Sequence, residues 1–387
     1  MLSGENSILN QAGRAKERTE ESQRNELSIL NDYAAYMENA IGGNGNGGGS
    51  GTGIDIATLQ TSTTKPYLPS NNFSISSEPT EQTVAGGLVI TDGTNEFVWI
   101  EVPITDQVYT TAGTSITDFT GSELLKIAQD LRNYSGSTLG NNSLADHLPP
   151  SADVGTDYTN DYKAVLQSIY QNGGFYIGRY ETGIQGTESA TTSARSASGD
   201  ATQVAVIKED VQPYTYITWG QAQSLAQGIS SGTKTSSLLM GVQWDLVLKF
   251  LGKNGDTNSS DWGNYRDSVF SLKQGSHYAK MSSWTLSTTW KGYNEDETGF
   301  VESSEKKSQS SNGNGILYTT GANTTNNSKK NICDIAGNVW EWTIENTSDS
   351  SYPCAYRGGD FCYSGSVFPA SGRYCYYTTG SYYNGRF

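Results

Sequence analysis

Few side chains in this chain could do covalent or acid–base chemistry. Four cysteines, Cys333, Cys354, Cys362 and Cys375, all lie towards the C-terminal end. None forms a CxxC pair, which disfavours a zinc knuckle or a thioredoxin-type dithiol. The two histidines, His147 and His277, read as structural or solvated. Glu341 and Glu345 could pass for an acid/base pair. On a strand they point the same way, so they read as facing solvent or supporting a loop. The chemistry that stands out is non-covalent. The chain ends in RGGDFCYSGSVFPASGRYCYYTTGSYYNGRF, and between Asp360 and Asn384 there is no Lys, Glu, Gln, Met or Trp. Six tyrosines and two phenylalanines fall in that stretch. Tyrosine gives a large flat face and a hydroxyl at low entropy cost, which suits an adaptable contact surface. The competing reading is an aromatic pair of core strands, but the stretch lacks the Leu, Ile and Val of a core.

The totals set bounds on what can position these residues. The 387 residues allow one large domain or two ordinary ones. Hydrophobic residues are 35% and charged residues 17%, with Gly, Ser, Thr and Asn filling the gap. That composition favours short strands and many turns. A net charge of −15 argues against nucleic acid as a partner, because phosphate recognition needs a basic face. No stretch approaches 18 consecutive apolar residues, and no signal peptide is visible.

Residues 5–41 are rich in helix formers, with Leu27, Leu30, Ala34, Met37 and Ile41 on one face. The glycine-dense run 42–53 then reads as a flexible linker. Residues 54–82 read as a strand-like or irregular connector and 83–387 as the main domain. Within it, strands are expected at 88–90, 96–104 and 175–181. Helices are expected at 120–134, 160–174, 217–229 and 236–252. Thr218 is a candidate N-cap, and the Gly pair at 173–174 suits a left-handed C-cap. Trp244, Val247, Leu248 and Leu251 share one buried helical face. Residues 253–330, rich in Gly, Asn and Ser, read as long loops pinned by Trp262, Trp284 and Trp290. A turn at Gly337-Asn338 precedes a strand in which Trp340 and Trp342 read as core. Short strands with central helices make an α+β domain.

Taken together, FYIGRYE, ITWGQAQSLAQ, GVQWDLVLKFL, NICDIAGNVWEW and the RGG of 357–359 resemble the sulfatase-modifying-factor type of the C-type lectin-like fold. The formylglycine-generating enzyme belongs to that family. The likeness spans about residues 83–387 and is most specific at DIAGNVWEW followed by RGG. It implies two possible activities. One is a copper oxidase of substrate cysteine, which needs a close thiolate pair soon after RGG. Cys362 stands in about that place, but YSGSVF follows it and Cys375 comes thirteen residues later. The other is a variable protein of a diversity-generating retroelement, in which adenines of template codons are randomised. Asparagine codons treated this way reach many residues but never Lys, Glu, Gln, Met or Trp. On that reading RGG, GS (365–366), PAS (369–371), Arg373, TT (378–379) and Ser381 form a fixed frame within the variable segment 360–384. The ligand-binding positions are Asp360, Phe361, Cys362, Tyr363, Val367, Phe368, Gly372, Tyr374, Cys375, Tyr376, Tyr377, Gly380, Tyr382 and Tyr383. The ligand is then a protein or glycan, and no catalytic residue or required cofactor is expected.

The resemblance also places a structural calcium near Asn331, Ile332, Gly337 and Asn338. Cys333 and Cys354 flank the WEW strand and are candidates for a disulfide, which would suit an extracellular site. The N-terminal stretch MLSGENSILNQAGRAKERTE resembles the part of Gram-positive type IV pilin-like proteins that follows their hydrophobic anchor. That implies display on a bacterial or phage surface, with membrane contact only through an anchor absent from these residues and assembly through residues 1–41. A simple oligomerising helix is the other reading of 1–41, and a pilus-like structural subunit is a third reading of the whole chain.

Overall fold

The computed structural model describes residues 54–136, 158–188, 201–229, 234–268, 275–287, 289–292, 313–322, 328–346 and 351–377. The expected N-terminal helix (1–41) and glycine linker (42–53) lie outside the described residues. Three strands, β1 (Ser74–Ile75), β2 (Val89–Thr91) and β3 (Glu96–Glu101), lead to helices α1 (Gly121–Ser135) and α2 (Thr159–Asn172) and then to β4 (Gly174–Gly178). The four strands pair antiparallel in the order β1-β2-β3-β4. On β3, Val98, Trp99 and Ile100 are all fully buried, so both faces of this strand are covered. α1 packs on α2 behind the sheet.

Residues 54–82 are a correction to the expected organisation. They are part of the folded body, not a connector outside it. β1 is an edge strand of the sheet. The indole N–H of Trp99 donates to Thr64 Oγ1 at 3.1 Å, and Lys65 N–H donates to Asn172 O at 2.7 Å. Apart from the two-residue β1, this segment pairs through isolated backbone bonds and carries no periodic apolar pattern, so its sequence reads as a strand-like or irregular connector.

Two short strands, β5 (Gly183–Ile184) and β6 (Ala205–Val206), pair with each other, and helices α3 (Trp219–Gly228) and α4 (Gly241–Phe250) follow. The cap chemistry explains the helix boundaries. Thr120 accepts the Glu123 N–H at the start of α1, and Gly136 ends that helix at φ +65°. Gly173 closes α2 at φ +67°. Thr218 and Gln221 exchange bonds in a capping box at the start of α3. On α4, Trp244, Val247 and Leu248 are buried against α1 and the strand that carries WEW.

The largest departure from the expected elements falls within 253–330. Strands β7 (His277–Ser282), β8 (Thr285–Leu286), β9 (Lys291–Gly292) and β10 (Gly315–Tyr318) form a sheet with β7 between β10 and β8, and β9 also pairs with β7. All four residues of β10 are buried, so it shows no alternation to read. A hairpin follows, β11 (Ser328–Lys329) with β12 (Ile332–Cys333), turned by Lys330 and Asn331 at positive φ. The last sheet comprises β13 (Glu341–Asn346), β14 (Cys354–Arg357) and β15 (Tyr374–Tyr376), in that order and antiparallel. The architecture is α+β. Among the described residues no helix is long and apolar enough to cross a membrane.

Candidate functional site

β14 and β15 bring the tyrosine-rich end of the chain onto one sheet, and a buried charge network fixes its frame. Arg357, at the end of β14, is 1% exposed. It donates to Asp245 on α4 and to Glu345 Oε1 on β13, the latter at 3.1 Å. Arg373 enters the same network, donating from Nε to Glu345 and from Nη2 to Asp245 at 3.5 Å. Two guanidinium groups thus face two carboxylates, and the formal charges cancel. Burial alone would lower the pKa of Arg357, but Asp245 and Glu345 hold it above its ordinary value. Of the two expectations for Glu345, facing solvent is corrected, since its side chain is fully buried; by bonding both arginines it supports the segment between β14 and β15.

The other frame residues are fixed by close packing. Gly359 has φ +84°, and a Cβ there would stand 2.4 Å from Phe368 O. At Gly365 a Cβ would meet Ser260 N at 2.4 Å. Trp244 Nε1–H donates to Ala370 O at 3.0 Å, Ser259 Oγ takes the Ala370 N–H at 3.0 Å, and Ser371 Oγ–H donates to Asp256 O at 2.6 Å.

The fourteen expected ligand-binding positions divide. Asp360, Phe361 and Cys362 are fully buried and do not present outward, which corrects that expectation. Asp360 Oδ1 accepts the N–H groups of Cys362 and Tyr363, closing a tight turn. Phe361 and Cys362 pack with Ala279, Met281, Trp290, Leu317 and Val339 in a second, smaller core under the β7 sheet. Sulfur lies 3.5 Å from sulfur between Cys362 and Met281. Burial, reinforced by Asp360, pushes the Cys362 thiol well above its ordinary pKa, the opposite of an activated thiolate. Cys375 is exposed on β15, and neither cysteine is disulfide-bonded. Gly380, Tyr382 and Tyr383 lie outside the described residues.

The remaining positions reach the surface. Val367 is 57% exposed and Tyr377 46% exposed, while Tyr363, Phe368, Gly372, Tyr374 and Tyr376 are half-buried. Their rings form a continuous row. Tyr363 meets Phe368 at 4.7 Å between centroids, and Phe368 meets Tyr374 at 4.8 Å. Tyr374 adjoins Tyr356 at 5.8 Å, Tyr356 adjoins Tyr376 at 6.2 Å, and Tyr376 meets Tyr377 at 5.2 Å. Trp340, nearly fully buried as expected of a core residue, lies against Tyr356, Phe368 and Tyr374 in edge-to-face contacts and so supports the row. Burial and the neighbouring Tyr356 push the Tyr374 hydroxyl up to about 12, which keeps it a neutral donor; it bonds Val367 O at 3.2 Å.

Three members of the row lie outside the C-terminal segment, and the sequence reading missed their role. Tyr356 is its centre, on β14. Tyr352 stacks on Tyr377 at 4.4 Å, with the two hydroxyls 2.9 Å apart. Trp284 adjoins Tyr363 at 5.8 Å. The alternation of β14, with Tyr356 half-buried between buried Ala355 and Arg357, was the available signal for Tyr356.

The other expected sites do not assemble as the sequence suggested. Cys333 and Cys354 are buried on different sheets, β12 and β14, and the expected disulfide is not formed. Burial and Asp334 push the Cys333 thiol up to about 12. Of the four expected calcium ligands, Ile332 belongs to β12, and Asn331 Nδ2 donates to the carbonyls of Gly86 and Gly87. Gly337 and Asn338 form the expected turn, and both have left-handed backbone. The amide oxygen of Asn338 is filled by donors from Asn264 Nδ2 at 2.7 Å and Tyr318 N at 3.0 Å. The Asn338 side-chain oxygen is thus engaged within the fold in this arrangement. Among the described residues, no group of three or more His, Cys, Asp and Glu could hold a metal ion.

Next to that turn, Glu181 accepts from Asn338 Nδ2 and from Val339 N. Burial first, then Asp334 and Glu341, push the Glu181 carboxyl well above the usual range; burial and Asp334 do the same to Glu341. Both acids line a cavity of ≈ 670 Å³ beside Tyr176, Tyr180 and Trp342, whose walls include none of residues 351–377. Comparison of the chain with family models, with curated proteins and with solved structures finds no match.

Proposed function

We propose that this chain is a surface-displayed ligand-binding protein of the C-type lectin-like fold, of the sulfatase-modifying-factor type, whose C-terminal segment is diversified by a retroelement. The observation that carries the reading is a division within residues 357–377. The frame residues Arg357, Gly359, Gly365, Ala370 and Arg373 are fixed by buried charge or close packing. Tyr363, Val367, Phe368, Tyr374, Tyr376 and Tyr377 reach the surface and meet one another chiefly through ring contacts. Positions held this way can change without disturbing the frame, as a rewritten site requires. The working site is smaller than the whole segment, because Asp360, Phe361 and Cys362 are part of the support. The ligand is a protein or glycan, and a row of uncharged rings on an acidic chain gives nucleic acid no purchase. Display on a cell or phage surface through residues 1–41 belongs to the same proposal.

The encoding DNA tests it. Tyr, Phe and Cys codons always end in a pyrimidine, so the informative positions are Val367, Gly372 and Gly380. Their codons should end in C or T, and a near-copy of the segment with adenines at the substituted positions should lie close by. Purines in those third positions, with no adenine-bearing copy nearby, would overturn the diversification. Simultaneous replacement of Phe368, Tyr374 and Tyr376 by serine tests the binding role: a captured ligand should be lost while the thermal transition persists.

A further inference from the structure

Trp284 belongs to the aromatic row but not to the segment proposed to vary, and its backbone is held at a cost. Ser283 and Trp284 form the turn between β7 and β8, closed by the pairing of Ser282 with Thr285. Both have left-handed backbone, at φ +50° and +65°. Such a turn favours Asn or Gly, and a bulky residue there is strained by on the order of 1 kcal/mol. Burial does not repay that strain, since Trp284 is 46% exposed. The surroundings nevertheless hold the turn in place. The backbone N–H of Trp284 donates to Gly313 O at 2.8 Å, and the backbone N–H of Ser283 donates to Asn314 Oδ1 at 2.8 Å. The indole lies so close to Gly313 that a Cβ there would stand 2.5 Å from it, and Gly313 itself has φ +83°. A costly backbone, a glycine seat and an exposed ring together describe a side chain held ready for contact.

We propose that Trp284 is a permanent binding residue of the aromatic site, touched by the ligand whatever side chains the C-terminal segment carries, and that the ligand is a protein contributing an uncharged, apolar protrusion. The inference rests on the binding role proposed above. Its chemistry follows from the row. Every side chain in it is uncharged, and the arginines beneath are matched by Asp245 and Glu345. Edge-to-face rings leave apolar faces and edges outward, which suit an apolar protein side chain, and Trp and Tyr are the residues most often dominant at such contacts. Sugar recognition would require carboxylate or amide groups flanking a ring to take paired hydroxyls; the rings carry none, and the oxygen of the amide beside Trp284, that of Asn314, already takes the Ser283 N–H. The Tyr374 hydroxyl is already engaged with Val367 O. A fixed indole also gives each new variant a starting contact, so the changing positions need supply only discrimination.

The experiment uses the full chain displayed on phage. Tyr363, Val367, Phe368, Tyr374, Tyr376 and Tyr377 are randomised with Trp284 retained, and the library is panned on lysozyme and, separately, on dextran. Trp284→Asn, which suits the left-handed turn, and Trp284→Tyr are then placed in each clone recovered. Lysozyme clones should lose on the order of tenfold or more in affinity with Asn and regain part of it with Tyr, at unchanged thermal midpoint. Clones whose affinity stays within about twofold in both variants would overturn the role of Trp284 while leaving the binding site intact. Clones recovered on dextran alone would overturn the choice of a protein ligand. A library that yields no clone on either target would overturn the binding role of the row, and this inference with it.

Discussion

The charge-locked frame and the aromatic row are a few residues apart in sequence and are built on opposite principles. Arg357 and Glu345 are almost completely buried, and their bonds depend on atoms meeting at hydrogen-bond distance. Removing one partner leaves the other charged and dry, which no neighbouring adjustment can offset. The row is held by ring contacts between 4.4 and 6.2 Å, each worth about 0.5–1.5 kcal/mol and each tolerant of rotation or replacement. A surface can therefore be rewritten without refolding only if the residues that define its backbone use interactions different from those of its face. The two arginines do this at separate points, Arg357 just ahead of the segment proposed to vary and Arg373 within it, between Gly372 and Tyr374.

The largest effect should come from breaking the frame. Arg357→Met leaves Asp245 and Glu345 buried with only Arg373 to oppose them, and should destabilise the domain by about 3–5 kcal/mol in urea unfolding. Arg373→Met should cost less, because its side chain is 15% exposed and water can reach the groups it leaves. Equal costs would mean that Arg357 is not the centre of the network, and a cost under about 1 kcal/mol for both would mean that the frame is not held by charge at all.

A third region sharpens the comparison. Glu181 is buried like the frame carboxylates and Glu341 is half-buried, and desolvation and neighbouring acids dominate the surroundings of both. Their raised pKa values make the sign definite. An acid that ionises later in the fold than in the unfolded chain favours folding while both states are protonated. Its contribution then falls as pH rises from the unfolded value of roughly 4.3 towards the raised folded value. Glu341→Gln should leave stability nearly unchanged at pH 4. It should exceed the parent at pH 7 to 8 by on the order of 1 kcal/mol, measured by urea unfolding at each pH. A uniform loss at every pH would instead assign Glu341 a required contact as a carboxylate.

How much of this was legible in the sequence depended on the kind of signal each element leaves. Helices α1 to α4 were marked by helix formers and apolar periodicity, and the two expected caps, Thr218 and Gly173, bound α3 and α2 as such residues do. The β7–β10 sheet was not visible because β10 is buried on both faces and β8 and β9 are two residues each. The tyrosine-rich composition pointed to the candidate site, but composition alone could not separate Phe361 from Phe368. Only the fold shows that Phe361 fills the small core beside Met281 while Phe368 lies against Trp340 in the row. Trp284 was noted as an aromatic pin, yet its left-handed turn and exposure are not written in its neighbours.

The smallest effect on stability should come from the outer end of the row. Tyr377 is 46% exposed, and its described partners are the rings of Tyr352 and Tyr376 and the hydroxyl of Tyr352. An exposed hydroxyl pair exchanges readily with water, and the ring contacts are two edge or tilted pairs at the surface. Tyr377→Asn is a change that randomised adenines could reverse or produce. It should move stability by less than about 0.5 kcal/mol, a shift of no more than about 2 °C in the thermal midpoint. Phe368→Asn, which faces Trp340, Tyr363 and Tyr374, should cost more than Tyr377→Asn but well under Arg357→Met. The slope of that series decides the matter. If cost climbs steadily from Tyr377 through Phe368 to Arg357, face and frame are distinct layers of one device. If Tyr377→Asn costs as much as Arg357→Met, the tyrosines are core after all, and the segment has no face free to change.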